Sequence, residues 1–89
     1  MARIEVEGEG GGPFTVRVEA GAARHSYQVE VPADLAERLG APAAEVARAT
    51  LAFLLDREPP AAIMTSFACT VVPRYFPEYE AALPSYLSG

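Results

Sequence analysis

The sequence predicts an α+β fold: a three-stranded antiparallel meander followed by three to four helices packed on one face of the sheet. Three observations lead there. The first third of the chain alternates apolar and polar residues with a period of two. After Pro32 the period becomes helical. The length, 89 residues, allows a single domain. Within that domain, residues 1–32 form the sheet, 33–57 the helices, and 58–89 short helices and an aromatic clasp.

The strands come first. In "RIEVEGE", Ile4 and Val6 face one way while Arg3, Glu5 and Glu7 face the other. In "PFTVRVEA", Phe14, Val16, Val18 and Ala20 share a face opposite Thr15, Arg17 and Glu19. In "RHSYQVEV", Tyr27, Val29 and Val31 point inward and Ser26, Gln28 and Glu30 outward. One polar face and one apolar face mark half-buried antiparallel strands, and "GEGGGP" and "AGAA" supply the turns. Charge predicts the register. Pairing Val6 with Val16 sets Glu5 against Arg17 and Arg3 against Glu19, whereas a slip of two residues opposes Arg3 to Arg17. Arg17 is thereby the cation that neutralises a face of carboxylates.

The helices follow. "ADLAERLG" stacks Leu35 and Leu39 one turn apart and ends on Gly40, a C-terminal cap. Pro42 suits the first turn of the next and longest helix, about 42–57. Its polar stripe is narrow (Glu45, Arg48, Ala52, Asp56), so its apolar surface exceeds what one sheet face covers. The helix is either sandwiched within the chain or packed against a second copy. "EPPAAIMTSF" reads as a further helix with Ile63, Met64 and Phe67 on its apolar side. In "VVPRYFPEYE", Pro73 and Pro77 suit the first turns of two short helices, and Pro84 is expected to end the second at Leu83. Helices this short persist only when their aromatics are buried. The expectation is a clasp anchored by Phe76, with Tyr75 or Tyr79 partly exposed.

Composition narrows the function. Apolar residues make up 51% of the chain, but alanine supplies 17 of them, so the few large side chains carry the core. Stability by per-residue scaling is about 4–13 kcal/mol. Net charge is −5, and the seven cations, all Arg, are spread along the chain. An acidic chain without a basic cluster is a poor binder of nucleic acid. One cysteine, Cys69, excludes an internal disulfide and fits a reducing cytoplasm. The N-terminus lacks the apolar core of a secretory signal, and no apolar run is long enough for a membrane span.

Candidate chemistry is thin. His25 is the only histidine and Cys69 the only thiol, so neither a zinc site nor a supported nucleophile–base pair is expected. Cys69 sits in the apolar "SFACTVV", the setting of an inert buried thiol. Glu5, Glu7, Glu19 and Glu30 lie on the polar sheet face, where a general acid lacks the desolvated pocket it needs. "GEGGGP" lacks the Gly-Lys-Ser/Thr of a phosphate loop and precedes a strand rather than a helix. No catalytic, metal or cofactor residue is assigned.

The strand and two helices of residues 27–57 resemble the ribbon-helix-helix repressors, which dimerise by pairing their strands. The resemblance implies that Ser26, Gln28 and Glu30 would enter the major groove, where Gln28 suits adenine and Glu30 meets phosphate. "REPPAAIMTSF" with "VVPRYFPEYE", about residues 57–80, resembles the C-terminal half of small bacterial proteins of unassigned function common in high-GC genomes. That resemblance implies no activity. The reading reached is a small non-catalytic interaction or regulatory module. It acts as a homodimer, through the long helix or through strand residues 25–31, with Tyr75, Tyr79, Phe53 and Arg74 as the candidate partner surface. The alternatives are a DNA-binding regulator or antitoxin of ribbon-helix-helix type, recognisable by Arg3, Arg17 and Arg24 gathering on one face, and a small enzyme using Cys69 and His25.

Overall fold

A computed structural model describes residues 3–8 and 12–87; most of the glycine-rich loop, residues 9–11, lies outside the described residues. Strands β1 (Arg3–Glu7), β2 (Phe14–Ala20) and β3 (Ala23–Glu30) form the antiparallel meander. The register is the one charge selects: Arg3 faces Glu19, Glu5 faces Arg17 and Val6 faces Val16. β2 and β3 join through a two-residue turn in which Gly21, at φ 63°, occupies the left-handed region that hairpin turns require. The apolar parity of β2 and β3 is driven fully inward: Val16, Val18 and Val29 are completely buried.

The sheet has a fourth strand. The stretch "EPPAAIMTSF", residues 58–67, is not the further helix its pattern suggests. Instead a 3-10 turn, Pro60–Ala62, leads into β4 (Ser66–Ala68), which pairs parallel to β3 with Phe67 beside Val29. The tyrosine of β3 explains the difference. Tyr27 donates its hydroxyl hydrogen bond to the Pro60 carbonyl at 2.6 Å, and the Gln28 amide donates to Thr65 at 2.7 Å. These bonds dock the segment alongside β3, and Ile63 and Phe67 then reach the core from an extended backbone. The sheet order is β1-β2-β3-β4.

Helices α1 (Ala33–Leu39) and α2 (Ala43–Leu55) match the expected segments, with Gly40 closing α1 at φ 65° and Pro42 preceding α2. α2 lies against β1 and β2 on one side and against the C-terminal segment on the other. Its wide apolar surface is therefore sandwiched within the chain, and Leu51 and Phe53 are fully buried. Of the two dimer routes expected, the long-helix one is occupied by the chain's own residues. The other is narrowed, because β2 takes one edge of β3 and β4 takes part of the second.

The C-terminal segment holds α3 (Val72–Tyr75), α4 (Tyr79–Ala82) and a closing 3-10 turn, Leu83–Tyr86. Pro84 does not stop the helix at Leu83, which keeps helical angles of −57° and −39°. The chain tightens into the 3-10 turn instead. There Pro84 sits in the first turn, where its missing N–H costs nothing.

Candidate functional site

The expected clasp exists, but its anchor is Tyr79 rather than Phe76. Its centre is Phe53, on α2. Tyr79 meets the Phe53 ring edge-on at 5.3 Å, and Phe76 and Tyr86 do so at 5.8 Å each. The Arg57 guanidinium lies 3.7 Å over the same ring. Three aromatics from the C-terminal segment thus grip one from α2, in geometries that favour edge-to-face and cation–π attraction. Tyr79 wins the interior because its hydroxyl finds a partner there. Thr50 donates to the Val46 carbonyl at 2.8 Å, so the 2.7 Å contact between Thr50 Oγ1 and the Tyr79 hydroxyl is a bond that Tyr79 donates. Phe76, nearer the surface, stays half-buried.

Cys69 Sγ lies 3.6 Å from Thr50 Oγ1. Burial pushes its thiol above the ordinary range, so it is held as a neutral thiol. His25 is elsewhere: it pairs with Val18 near the β2–β3 turn and stacks toward Tyr27, 6.3 Å away. β4, which precedes Cys69, meets β3 at Glu30, five residues and roughly 17 Å along the strand from His25. The two do not form a nucleophile–base pair. Among the described residues, no group of three or more His, Cys, Asp or Glu could hold a metal ion.

Arg3, Arg17 and Arg24 do share one sheet face, the arrangement set as the mark of a DNA reader. Each lies beside a neighbouring carboxylate. Arg3 pairs with Glu5 at 3.8 Å, Arg24 with Glu19 at 3.2 Å, and Arg17 with Glu7. The face is a checkerboard of charge rather than a basic patch.

Two concavities stand out among the described residues. The smaller, about 190 Å³, lies between α1 and α4. Arg38 crosses its mouth, donating to Asp34 at 2.8 Å and Glu80 at 2.7 Å. The larger, about 280 Å³, is an apolar groove between the 58–67 segment and α3. Leu54, Ile63, Phe67 and Val72 form its base, and Met64, Tyr75 and Phe76 contribute to its walls. Local geometry dictates which side chains stay out. The bonds from β3 turn Ile63 inward and leave Met64 49% exposed. Pro73 opens α3 so that Val72 is buried and Tyr75 is left 67% exposed. These are the two large apolar side chains left exposed among the described residues, and they line the same groove.

Of the four candidate partner residues, Tyr75 stands on the groove wall and Arg74 beside it in α3 is exposed, whereas Phe53 and Tyr79 are core. The sequence alone does not single out Met64, which reads there as one of three residues on the apolar side of a helix. The available signal was the proline pair ahead of it, which precludes a regular helix continuing from α2. Comparisons with protein-family models, curated proteins and solved structures find no match for the chain.

Proposed function

We propose that the protein is a non-catalytic interaction module that acts as a homodimer and engages a protein partner through the groove between Met64 and Tyr75. One observation carries the partner site: the two exposed large apolar side chains fall on opposite segments yet line one apolar concavity. A small folded chain leaves such residues to solvent at a cost, and their convergence is what a contact surface requires. Tyr75 adds an amphipathic ring of the type enriched at interface centres. The non-catalytic part of the reading is supported by the way titratable groups are used: Cys69 and Tyr79 are buried and neutral, and the sheet-face cations are paired. A single buried thiol also suits a reducing, cytoplasmic setting.

A photo-crosslinking residue placed at Tyr75, and in a parallel sample at Gln28 on the polar sheet face, tests the site in living cells of the source organism. The reading requires one recurrent protein adduct at position 75 that is weakened by Met64→Ser and absent at position 28. Equal, diffuse adducts at both positions would reject it.

A further inference from the structure

Strand β1 ends the sheet, and its outer edge is bonded by none of the described residues. The opposite edge, β4, is only three residues long and is enclosed by 3-10 turns on both sides, a common way of blunting an edge. β1 has five residues, no proline and no inward-pointing charge. Its inward residues, Ile4 and Val6, pack against the core yet remain half-buried, because β2 flanks them on one side only. This edge has the length and the incomplete burial of a strand prepared for a neighbour.

The charges on β1 identify that neighbour. We infer that a second copy of this chain pairs antiparallel with β1, with the twofold axis passing through Ile4. In that register Arg3 faces Glu5 of the copy, Glu5 faces Arg3 of the copy, and the two Ile4 side chains meet. A twofold axis at Glu5 pairs Arg3 with Glu7 twice but sets two glutamates against each other at its centre, and one at Val6 opposes Glu5 to Glu7 twice; only the axis at Ile4 gives two attractions and no repulsion among the residues of β1. Like charges directly opposite each other are destabilising and opposite charges favourable, so the Ile4 register is selected. Only registers that keep inward residues on one face maintain the core side, which excludes the odd offsets. The product is a continuous eight-stranded sheet, isologous as a twofold dimer must be. Because α2 packs on β1 and β2, the two copies of α2 flank the seam on the same face. This inference rests on the dimer reading above and names its surface and register.

Light scattering across a concentration series, with charge-reversed variants, tests it. Wild-type protein is expected at twice 9.5 kDa at high micromolar concentration. Arg3→Glu and Glu5→Arg should each raise the dimer dissociation constant by about tenfold or more, since each turns two attractions into repulsions. The double variant, Arg3→Glu with Glu5→Arg, should recover dimerisation. Within the chain the double variant is the worst of the three, because it opposes Glu to Glu19 and Arg to Arg17. Recovery therefore reads the contact between copies and not the stability of the chain. If a variant loses its fold by circular dichroism, cysteine crosslinking decides: oxidised Arg3→Cys/Glu5→Cys should yield a covalent dimer, and Glu5→Cys alone should not. A wild-type protein that stays monomeric overturns both the dimer reading and this inference. A dimer unmoved by every charge reversal, or crosslinked through Glu5→Cys alone, overturns the β1 interface or its register and leaves the dimer standing.

Discussion

The hydroxyl of Tyr79 donates to Thr50 Oγ1 across 2.7 Å, joining the C-terminal segment to the middle of α2 inside the core. Removing the hydroxyl leaves Thr50 its bond to the Val46 carbonyl, so no buried donor is stranded. Tyr79→Phe should therefore cost only the net value of one hydrogen bond, about 0.5–1.5 kcal/mol. Tyr79→Ala also empties a fully buried site and should cost about 3–5 kcal/mol. Urea unfolding of both variants checks the split. Equal losses would show that the bond, and not the ring, fastens the segment.

Phe53 and Phe76 should respond unequally although their rings touch. Phe53 is fully buried beneath three aromatics and a guanidinium, so Phe53→Ala should cost about 3–5 kcal/mol. Phe76 is half-buried and gives up mainly one edge-to-face contact, so Phe76→Ala should cost about 1–2 kcal/mol. Thermal melts of the two variants measure this, and a reversal of order would remove Phe53 from the centre of the clasp.

Alkali should destabilise the protein earlier than acid chemistry on its exposed surface would imply. Burial raises Cys69 from its ordinary value of 9.0, and raises Tyr79 and Tyr27 from 10.0. A group whose value is raised by folding contributes full stability below its unfolded value, and that contribution is lost as the pH climbs toward the folded one. The loss should begin near pH 9 with Cys69 and deepen above pH 10 with the tyrosines. Denaturation midpoints measured from pH 7 to 11 should fall across that window, and Cys69→Ala should move the onset up toward pH 10. An onset unchanged by Cys69→Ala would show that the thiol is not what titrates.

The groove walls should be nearly silent in stability. Met64 and Tyr75 are exposed, so Met64→Ser and Tyr75→Ala should each stay within about 0.5 kcal/mol of wild type. Calorimetry of the two variants gives the answer. A large loss would make the groove part of the core rather than a contact surface.

Random duplex DNA should bind weakly even at low salt, where charge is least screened. The motive is the pairing of Arg3, Arg17 and Arg24 with carboxylates on the sheet face. Fluorescence anisotropy showing sub-micromolar affinity with a steep salt slope would contradict it.

The meander and its register were legible because two independent patterns agree there. Parity sorts Ile4, Val6, Val16 and Val18 inward, and opposite charges align Arg3 with Glu19. α1 and α2 were legible through Gly40 and Pro42. β4 was not, because three residues carry too little alternation to show a period, and the bonds that place it come from Tyr27 and Gln28, far earlier in the chain. The clasp was readable as an aromatic cluster, but its anchor was not. Choosing Tyr79 over Phe76 requires knowing that Thr50 waits inside with an unfilled acceptor. Only half of the exposed groove wall could be found from the residues alone, since Tyr75 carries its own signal and Met64 acquires its exposure from the turn before it.

Val29 and Phe67 stand side by side in the sheet but 38 positions apart in the chain. The hairpins and both longer helices need only nearby residues, so they can form while the last third of the chain is still unplaced. β4 must wait, because its partner strand is reached only after the whole intervening stretch has been ordered. Until it arrives, part of the β3 edge is open and Phe53 lacks its cover. The segment from Pro60 to Leu87 is therefore expected to close the protein late in folding, and the interval before closure is when such a chain should be most exposed to sticking to its copies.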